Sequence, residues 1–385
     1  MHLNNAAPVR AAYVHIPFCL SKCHYCDFNS YPGMESHFDE YVHALISEIE
    51  RSQDTPDKLD SVYIGGGTPT VLSASQLGDI LSAISHRIGI SENAEITIEA
   101  NPGTVDECKL AQLREQNFNR LSIGVQSFDD DYLAMLGRAH DSKQAVDAYY
   151  CARRAGFDNI SIDLIFAMPG QRLNHWENTL YAALGLEPEH ISLYELTIEE
   201  GTKFGELCAQ DEITLPEEDE QIAMYELAIA KTREAGFEHY EVSNFARSEY
   251  RCRHNQVYWR NEPYYGLGAG ATSYVFGDRA VRIKDPEDYA AAIESGGDAI
   301  TFSEHLTGRA YLAETLILSL RMIDGVDLDE LSKKTNSDII KEFAREIESL
   351  QSKELVELSD SRLRVTHKGL LLLNDISAEL VNSTT

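Results

Sequence analysis

The chain has 385 residues, 43% of them hydrophobic and 25% charged, a composition that excludes disorder of the whole chain. No apolar run approaches the roughly 18 residues that a membrane-spanning helix needs, so no integral membrane protein is expected. With 33 Lys plus Arg against 63 Asp plus Glu the formal charge is −30, which argues against nucleic acid as a partner and against an anionic membrane surface. The N-terminus shows no basic start followed by an apolar stretch, so no signal peptide is expected. The expected location is the cytoplasm or an equivalent reducing compartment.

In chain order, compact runs rich in Val, Ile, Leu and Tyr predict strands at Tyr13–Ile16, Ser61–Ile64, Glu95–Glu99, Arg120–Val125, Ile160–Phe166 and Ile191–Leu196. Helical stretches alternate with them. After the first strand, Phe38, Tyr41, Val42, Leu45, Ile46 and Ile49 fall on one stripe of a helix. A further helix is expected from about Asp219 to Ala235, with Gly236 at its C-cap. Six strand–helix units in a row predict an α/β fold, a partial (β/α)6 barrel. Its site belongs at the C-terminal ends of the strands.

The pattern changes after Tyr240. Residues 243–275 are rich in Tyr, Asn, Arg and Gly and read as an irregular connector, followed by a short helix and turn over Asp285–Gly297. Helices are expected again at Tyr311–Arg321, Leu328–Lys334 and Asp338–Leu350. A hairpin of Leu355–Leu358 and Leu363–Val365 then turns around Ser359–Ser361, and a last helix starts near His367. This suggests a small helical, winged-helix-like C-terminal domain. Its 10 Lys/Arg against 15 Asp/Glu over 301–385 favour packing over DNA reading. The expected division is a core domain over 1–242, a connector over 243–300 and a C-terminal domain over 301–385.

Seven cysteines in a chain this long do not suggest a disulfide scaffold. Three of them, Cys19, Cys23 and Cys26, fall within eight residues, spaced C-x3-C-x2-C directly after the first strand. Close thiolates of this kind suit a soft metal or an iron–sulfur cluster. Zinc normally recruits a fourth ligand, and Cys108 is too distant to be predicted as one. The simplest reading is a cubane cluster with three irons held by protein and the fourth open. Zinc and plain structural thiols are the other readings.

This cysteine spacing resembles the signature of the radical S-adenosylmethionine (SAM) superfamily. The resemblance implies a [4Fe–4S] cluster whose open iron is chelated by SAM, and release of a 5′-deoxyadenosyl radical when an electron cleaves the sulfonium. Tyr25 fills the place of an aromatic beside the third cysteine, and Tyr13 belongs to the same segment. Gly65-Gly66-Gly67-Thr68-Pro69-Thr70 follows the second strand. A glycine-rich turn alone reads as a tight strand–helix turn. Beside the cysteines the resemblance gives Gly66, Gly67 and Thr68 to SAM. Glu99, Gln126, Arg138 and Asp163 lie at or just past strand ends. Each reads either as a satisfied structural hydrogen bond or, by the resemblance, as a contact to the ribose, carboxylate or adenine of SAM.

Together these motifs resemble the oxygen-independent coproporphyrinogen III oxidase-like group, over nearly the whole chain, and within it the heme-chaperone branch. The oxidase branch carries a fourth cysteine two residues past the third, where this chain has Phe28. It also carries a long N-terminal arm, against 18 residues before Cys19 here. Cys252-Arg253-His254-Asn255-Gln256-Val257-Tyr258-Trp259 is similar to the H-N-x-x-Y-W motif of the chaperone branch. The resemblance makes His254 the expected heme ligand and Cys252 a weaker alternative. A single His near aromatics also reads as a packed structural residue. Two functions stand. One is a heme carrier, with heme, an acceptor protein and an electron donor as partners. The other is a radical SAM enzyme that decarboxylates a porphyrinogen propionate.

Overall fold

A computed structural model of the chain describes residues 8–52, 57–275 and 277–382. Six parallel strands follow one another in chain order: β1 (Ala11–Ile16), β2 (Leu59–Gly66), β3 (Ile90–Ala100), β4 (Arg120–Gln126), β5 (Ile160–Phe166) and β6 (His190–Glu195). All six expected strands form, and the helix over Phe38–Glu50 buries Tyr41, Val42, Leu45 and Ile49 of the expected stripe. Another helix spans Glu218–Glu234.

The strands alternate with a period of two. One face carries Val62, Ile64, Ile96, Ile98, Leu121, Ile123, Ile160 and Ile162, which join the main hydrophobic core with the helices. The other face is polar. Ser61 and Tyr63 stand on it from β2, Glu95, Thr97 and Glu99 from β3, Arg120 and Ser122 from β4, Ser161 and Asp163 from β5. Several of these bond one another: Tyr63 to Glu99 and Ser122 to Asp163 across strands, and Ser161 to Asp163 along β5. Burying ionisable groups is costly unless they find partners, so a polar inner face marks the side on which chemistry belongs.

The stretch read as an irregular connector contains more structure than expected. A short hairpin of β7 (Glu238–Glu241) and β8 (Asn244–Ala246) extends the sheet antiparallel to β6. At the opposite edge β9 (Tyr265–Leu267) pairs in parallel with β1, Tyr13 opposite Gly266. The order across the sheet is therefore β9-β1-β2-β3-β4-β5-β6-β8-β7. A seven-residue helix, Arg253–Trp259, lies between β8 and β9. The expected helix after Asp285 forms over Pro286–Glu294, capped by the Asp285 carboxylate.

The C-terminal region builds its own apolar cluster from Leu312, Leu316, Leu331, Phe343, Ile347 and Leu380, among others. Its helices begin with Gly308–Ser319 and Leu328–Thr335. The expected helix Asp338–Leu350 is broken into Ile339–Glu342 and Ala344–Ser352, at the fully buried Phe343. The hairpin pairs Val356–Ser359 with Arg362–Val365, and its two turn residues Asp360 and Ser361 both take the left-handed conformation that suits such a turn. The last helix is likewise split, into His367–Leu371 and Leu373–Asn382. Among the described residues no helix is long and apolar enough to cross a membrane.

Candidate functional site

The three cysteines sit on a loop that leaves β1 at its C-terminal end. Phe18–Cys19 pairs in parallel with Tyr31–Pro32, which closes the loop at its base. Its far side is fastened through His24, whose amide and Nδ1 donate to the carbonyls of Leu136 (2.9 Å) and Met135 (2.8 Å). The Phe204 amide donates to the His24 carbonyl at 2.8 Å. All three thiols are part-exposed and outside any disulfide. Each has a polar group beside its sulfur: the Thr68 hydroxyl 3.5 Å from Cys19, the Arg138 guanidinium 3.4 Å from Cys23 and the Ser30 hydroxyl 3.9 Å from Cys26. Burial pushes the Cys19 and Cys26 thiols up, and proximity to the other cysteines adds to this.

The glycine-rich turn is shaped first by the protein itself. The Gly67 amide donates to Ile16 O (2.9 Å) and the Thr68 amide to Phe18 O (2.7 Å), so the turn is laid directly on the root of the cysteine loop. A side chain on Gly67 would stand 2.6 Å from that same Phe18 oxygen. The Gly66 amide donates to Glu99 Oε2 at 3.1 Å, while Tyr63 donates to Oε1 at 2.7 Å. Burial pushes the Glu99 carboxyl up to about 7, against the effect of these two donors.

Gln126 and Arg138 converge over Gly124, where a side chain would stand 2.9 Å from Gln126 Nε2 and 3.5 Å from Arg138 Nη2. The register of β4 against β5 shifts between Gly124 and Gln126, and Gln126 has φ +67°. A bulge of this kind re-aims a side chain at the end of a strand. Arg138 also donates to Gly124 O at 2.6 Å, and its buried Nε has no hydrogen-bond partner among the described residues. Tyr25 packs against the apolar cluster of Ile165, Met168 and Phe204. Asp163 lies mid-strand rather than at a strand end, and accepts from Ser122 (2.8 Å) and Ser161 (3.0 Å). Tyr13 lies deeper, its hydroxyl 2.9 Å from His15 Nδ1 and its ring 6.2 Å from that of Tyr63. His15 is tied to the interior, Nε2 donating to Asn29 O at 2.8 Å.

His254 is placed elsewhere. It is 1% exposed, with Nδ1 3.0 Å from Ser61 Oγ and Nε2 2.9 Å from the Tyr258 hydroxyl. Burial, with Arg120 adding to it, pushes this imidazole down to about 3. Both ring nitrogens are thus engaged, and the structure does not bring His254 together with the cysteine loop. Its helix is held at the N-terminus by Glu95, which accepts from the amides of Arg253 (3.0 Å) and His254 (3.1 Å) and stands 3.5 Å from Cys252 Sγ. Burial pushes the Cys252 thiol up to about 12. The residue behind this arrangement that the sequence reading missed is Arg120, 2% exposed, whose Nε has no hydrogen-bond partner among the described residues. Glu95 and Tyr63 were missed with it. Their signal was the polar alternation within β2, β3 and β4.

Residues 13–181 match the radical SAM superfamily and residues 306–372 the HemN C-terminal domain. Among solved structures, coproporphyrinogen III oxidase (HemN) from Escherichia coli, a radical SAM enzyme, superposes with a TM-score of 0.83 at 25% identity, over 97% of this chain and 90% of that chain. The chain is 38% identical to the heme chaperone HemW of Bacillus subtilis, over 96% of this chain and 98% of the other. It is 36% identical to the heme chaperone HemW of Lactococcus lactis, over 95% and 96%. The chain belongs to the HemW family.

For a HemW-family protein, membership of the radical SAM superfamily implies a [4Fe–4S] cluster and SAM. The residues present fit that pair. The donor set is three part-exposed thiols, each with a polar side chain beside the sulfur, and such groups stabilise thiolates and tune a cluster. The unpartnered Arg138 Nε is a donor left over at the same place. Among the described residues no three His, Cys, Asp or Glu side chains are gathered as a single metal ion would need. A cubane takes each thiolate on a separate iron and needs no such convergence.

Proposed function

We propose that this HemW-family chain binds heme and hands it to an acceptor protein, and that it does so as a protein carrying a [4Fe–4S] cluster and SAM. The observation that carries the reading is the 38% identity to a protein named heme chaperone HemW, over 96% of this chain. In this reading Cys19, Cys23 and Cys26 hold the cluster. Tyr13, Tyr25, Gly66, Gly67, Thr68, Glu99, Gln126, Arg138 and Asp163 surround SAM, with Arg138 orienting its carboxylate and Glu99 fixing the glycine turn. When bound, the cluster supplies an electron to SAM. The protein works in the cytoplasm, where free thiols persist, and draws on an electron donor.

His254 is the heme ligand this reading assigns. To reach an iron, its ring must give up Ser61 or Tyr258, and each ordinary hydrogen bond contributes about 1 kcal/mol. That cost is small beside a micromolar affinity of about 8 kcal/mol. The test is a hemin titration followed at the Soret band, beside His254→Ala. Saturable binding near one heme per chain, weakened in the variant, supports both the carrier and its ligand. Saturable binding unchanged in the variant supports the carrier and moves the ligand elsewhere.

The oxidase reading has one observation in its favour, the TM-score of 0.83 to HemN. Phe28, 63% exposed where that branch carries a further cysteine, weighs against it. Absence of saturable heme binding, with consumption of coproporphyrinogen III in the presence of SAM and a reductant, would establish it instead.

A further inference from the structure

The cysteine loop has a second fastening, and it lies in the chain's second half. Asn29 stands three residues after Cys26. Its Nδ2 donates to Ala269 O at 3.1 Å and to Lys284 O at 2.9 Å. Its Oδ1 accepts from the Tyr31 hydroxyl at 3.1 Å, and its backbone oxygen from His15 Nε2 at 2.8 Å. Every polar group of this side chain is therefore in use, and both of its donors go to a segment about 240 residues away. The neighbouring Ser30 lies against Cys26 and takes a Lys22 hydrogen bond on its carbonyl. A short covalent path thus runs from a cysteine to the contact.

The receiving strap, residues 268–275 and 277–284, contains an antiparallel strand pair, Thr272–Val275 with Asp278–Arg282, and has a firm seat of its own. It leaves β9, which is paired with β1. The Gly268 amide donates to the Glu48 carboxylate at 2.8 Å and the Ala269 amide to the Tyr41 hydroxyl at 3.0 Å. Arg282 pairs with the same Glu48, to which Tyr289 also donates. Gly270 then bonds back to Ile283 O at 2.7 Å. Gly270 has φ +77°, and a side chain there would stand 2.4 Å from Asn29 Nδ2. The strap is bare at the point where Asn29 enters it.

We propose that Asn29 is a positioning residue that locks the cluster-bearing loop to this strap, so that filling the cluster site further stiffens residues 268–275 and 277–284 against local opening. The proposal rests on the reading that Cys19, Cys23 and Cys26 hold the cluster. A merely structural asparagine would steady the loop equally with and without the cluster. A coupling asparagine makes the strap's protection depend on loading. The link also gives the segment that follows the H-N-x-x-Y-W helix a physical means of registering whether the cluster is present.

The test uses the full-length protein, apo and anaerobically reconstituted. Amide exchange of 268–275 and 277–284 is measured with iron per chain and the EPR spectrum of the reduced cluster, with and without SAM. In the wild type, loading should slow exchange in both stretches. In Asn29→Ala iron uptake should persist, because all three thiols remain. Exchange in the strap should then become roughly thirtyfold faster in the loaded form, the ratio that two ordinary hydrogen bonds represent. The difference between apo and loaded forms should vanish, and the EPR signal should shift. Gly270→Ala pushes on the same contact from the strap side and should reproduce the EPR shift, which keeps the test open should Asn29→Ala fold poorly. A wild type that loads its cluster, with variants that keep both the loading-dependent protection and the EPR signal, overturns the proposal and leaves the cluster reading standing. A wild type that takes up no iron overturns both.

Discussion

Glu95 gives the sharpest test of how the H-N-x-x-Y-W helix is held. The helix Arg253–Trp259 is only seven residues long, and its own N-cap residue, Cys252, supplies no side-chain cap. Its first amides would be orphans inside the protein. Glu95 satisfies two of them from a strand 158 and 159 residues away, at 3.0 and 3.1 Å. The carboxylate also faces the positive end of the helix and offsets the buried charge of Arg120. A hydrogen bond to a charged group contributes about 1.5–3 kcal/mol, and the two that Glu95 accepts are lost together. These overlap, since one carboxylate serves both. Glu95→Ala should therefore cost about 3–5 kcal/mol in urea unfolding. Glu95→Gln keeps one acceptor but not the charge, and should fall between. Amide exchange over 253–260 separates local release of the helix from global destabilisation, and should rise most there. A Glu95→Ala protein within about 0.5 kcal/mol of wild type, with unchanged exchange in that helix, would refute the capping argument.

The remaining expectations concern the glycine turn and the carboxylate beneath it. Glu99 is pushed up from 4.5 to about 7 by burial, so between those values the folded chain holds a proton that the unfolded chain has lost. Stability should then fall as pH rises from about 4.5 to about 7, by about 3 kcal/mol at most, and Glu99→Gln should remove this component. Equal pH slopes for the two proteins in urea unfolding at pH 5 and pH 8 would exclude it. Gly67→Ala drives a methyl against backbone rather than a movable side chain, 2.6 Å from Phe18 O. It should cost about 1–3 kcal/mol and lower iron uptake through displacement of the Phe18–Cys19 root, while an alanine with wild-type stability and iron content would show that the turn has slack.

The core of this fold was legible because its outward face is apolar and local. Ile96, Ile98, Ile160 and Ile162 announce strands from their neighbours alone. The cysteine loop was legible for a similar reason, since its three thiols lie within eight residues. What escaped depends on distant partners. Tyr265–Leu267 is three residues long and is a strand only because β1 lies beside it. The break at Phe343 leaves the same apolar face pointing inward, so periodicity could not reveal it. The inner face was half visible. Glu99 and Asp163 stood out as polar residues in apolar runs, while Glu95 and Arg120 read as strand boundaries. Their roles appear only when Cys252 and His254 arrive from the far end of the chain.

The same geometry separates two sites that the motifs alone would join. Ser61, which holds His254, and Gly66, which meets Glu99, lie on one strand five residues apart. At about 3.3 Å per residue that is about 16 Å along the barrel wall. The H-N-x-x-Y-W helix therefore lies toward the N-terminal half of the strands, and the cysteine loop at their C-terminal ends. Tyr63 touches both regions: its hydroxyl donates to Glu99, and its ring lies 5.2 Å from His254. A ligand that drew His254 out of its place would strip one side of the Tyr63 ring of its neighbour. The Tyr63–Glu99–Gly66 hydrogen bonds would still be intact. The two regions are thus neighbours through two phenol rings, those of Tyr63 and Tyr13, the latter 6.4 Å from the His254 ring. That arrangement lets the region around His254 open while the glycine turn at the cluster stays bonded.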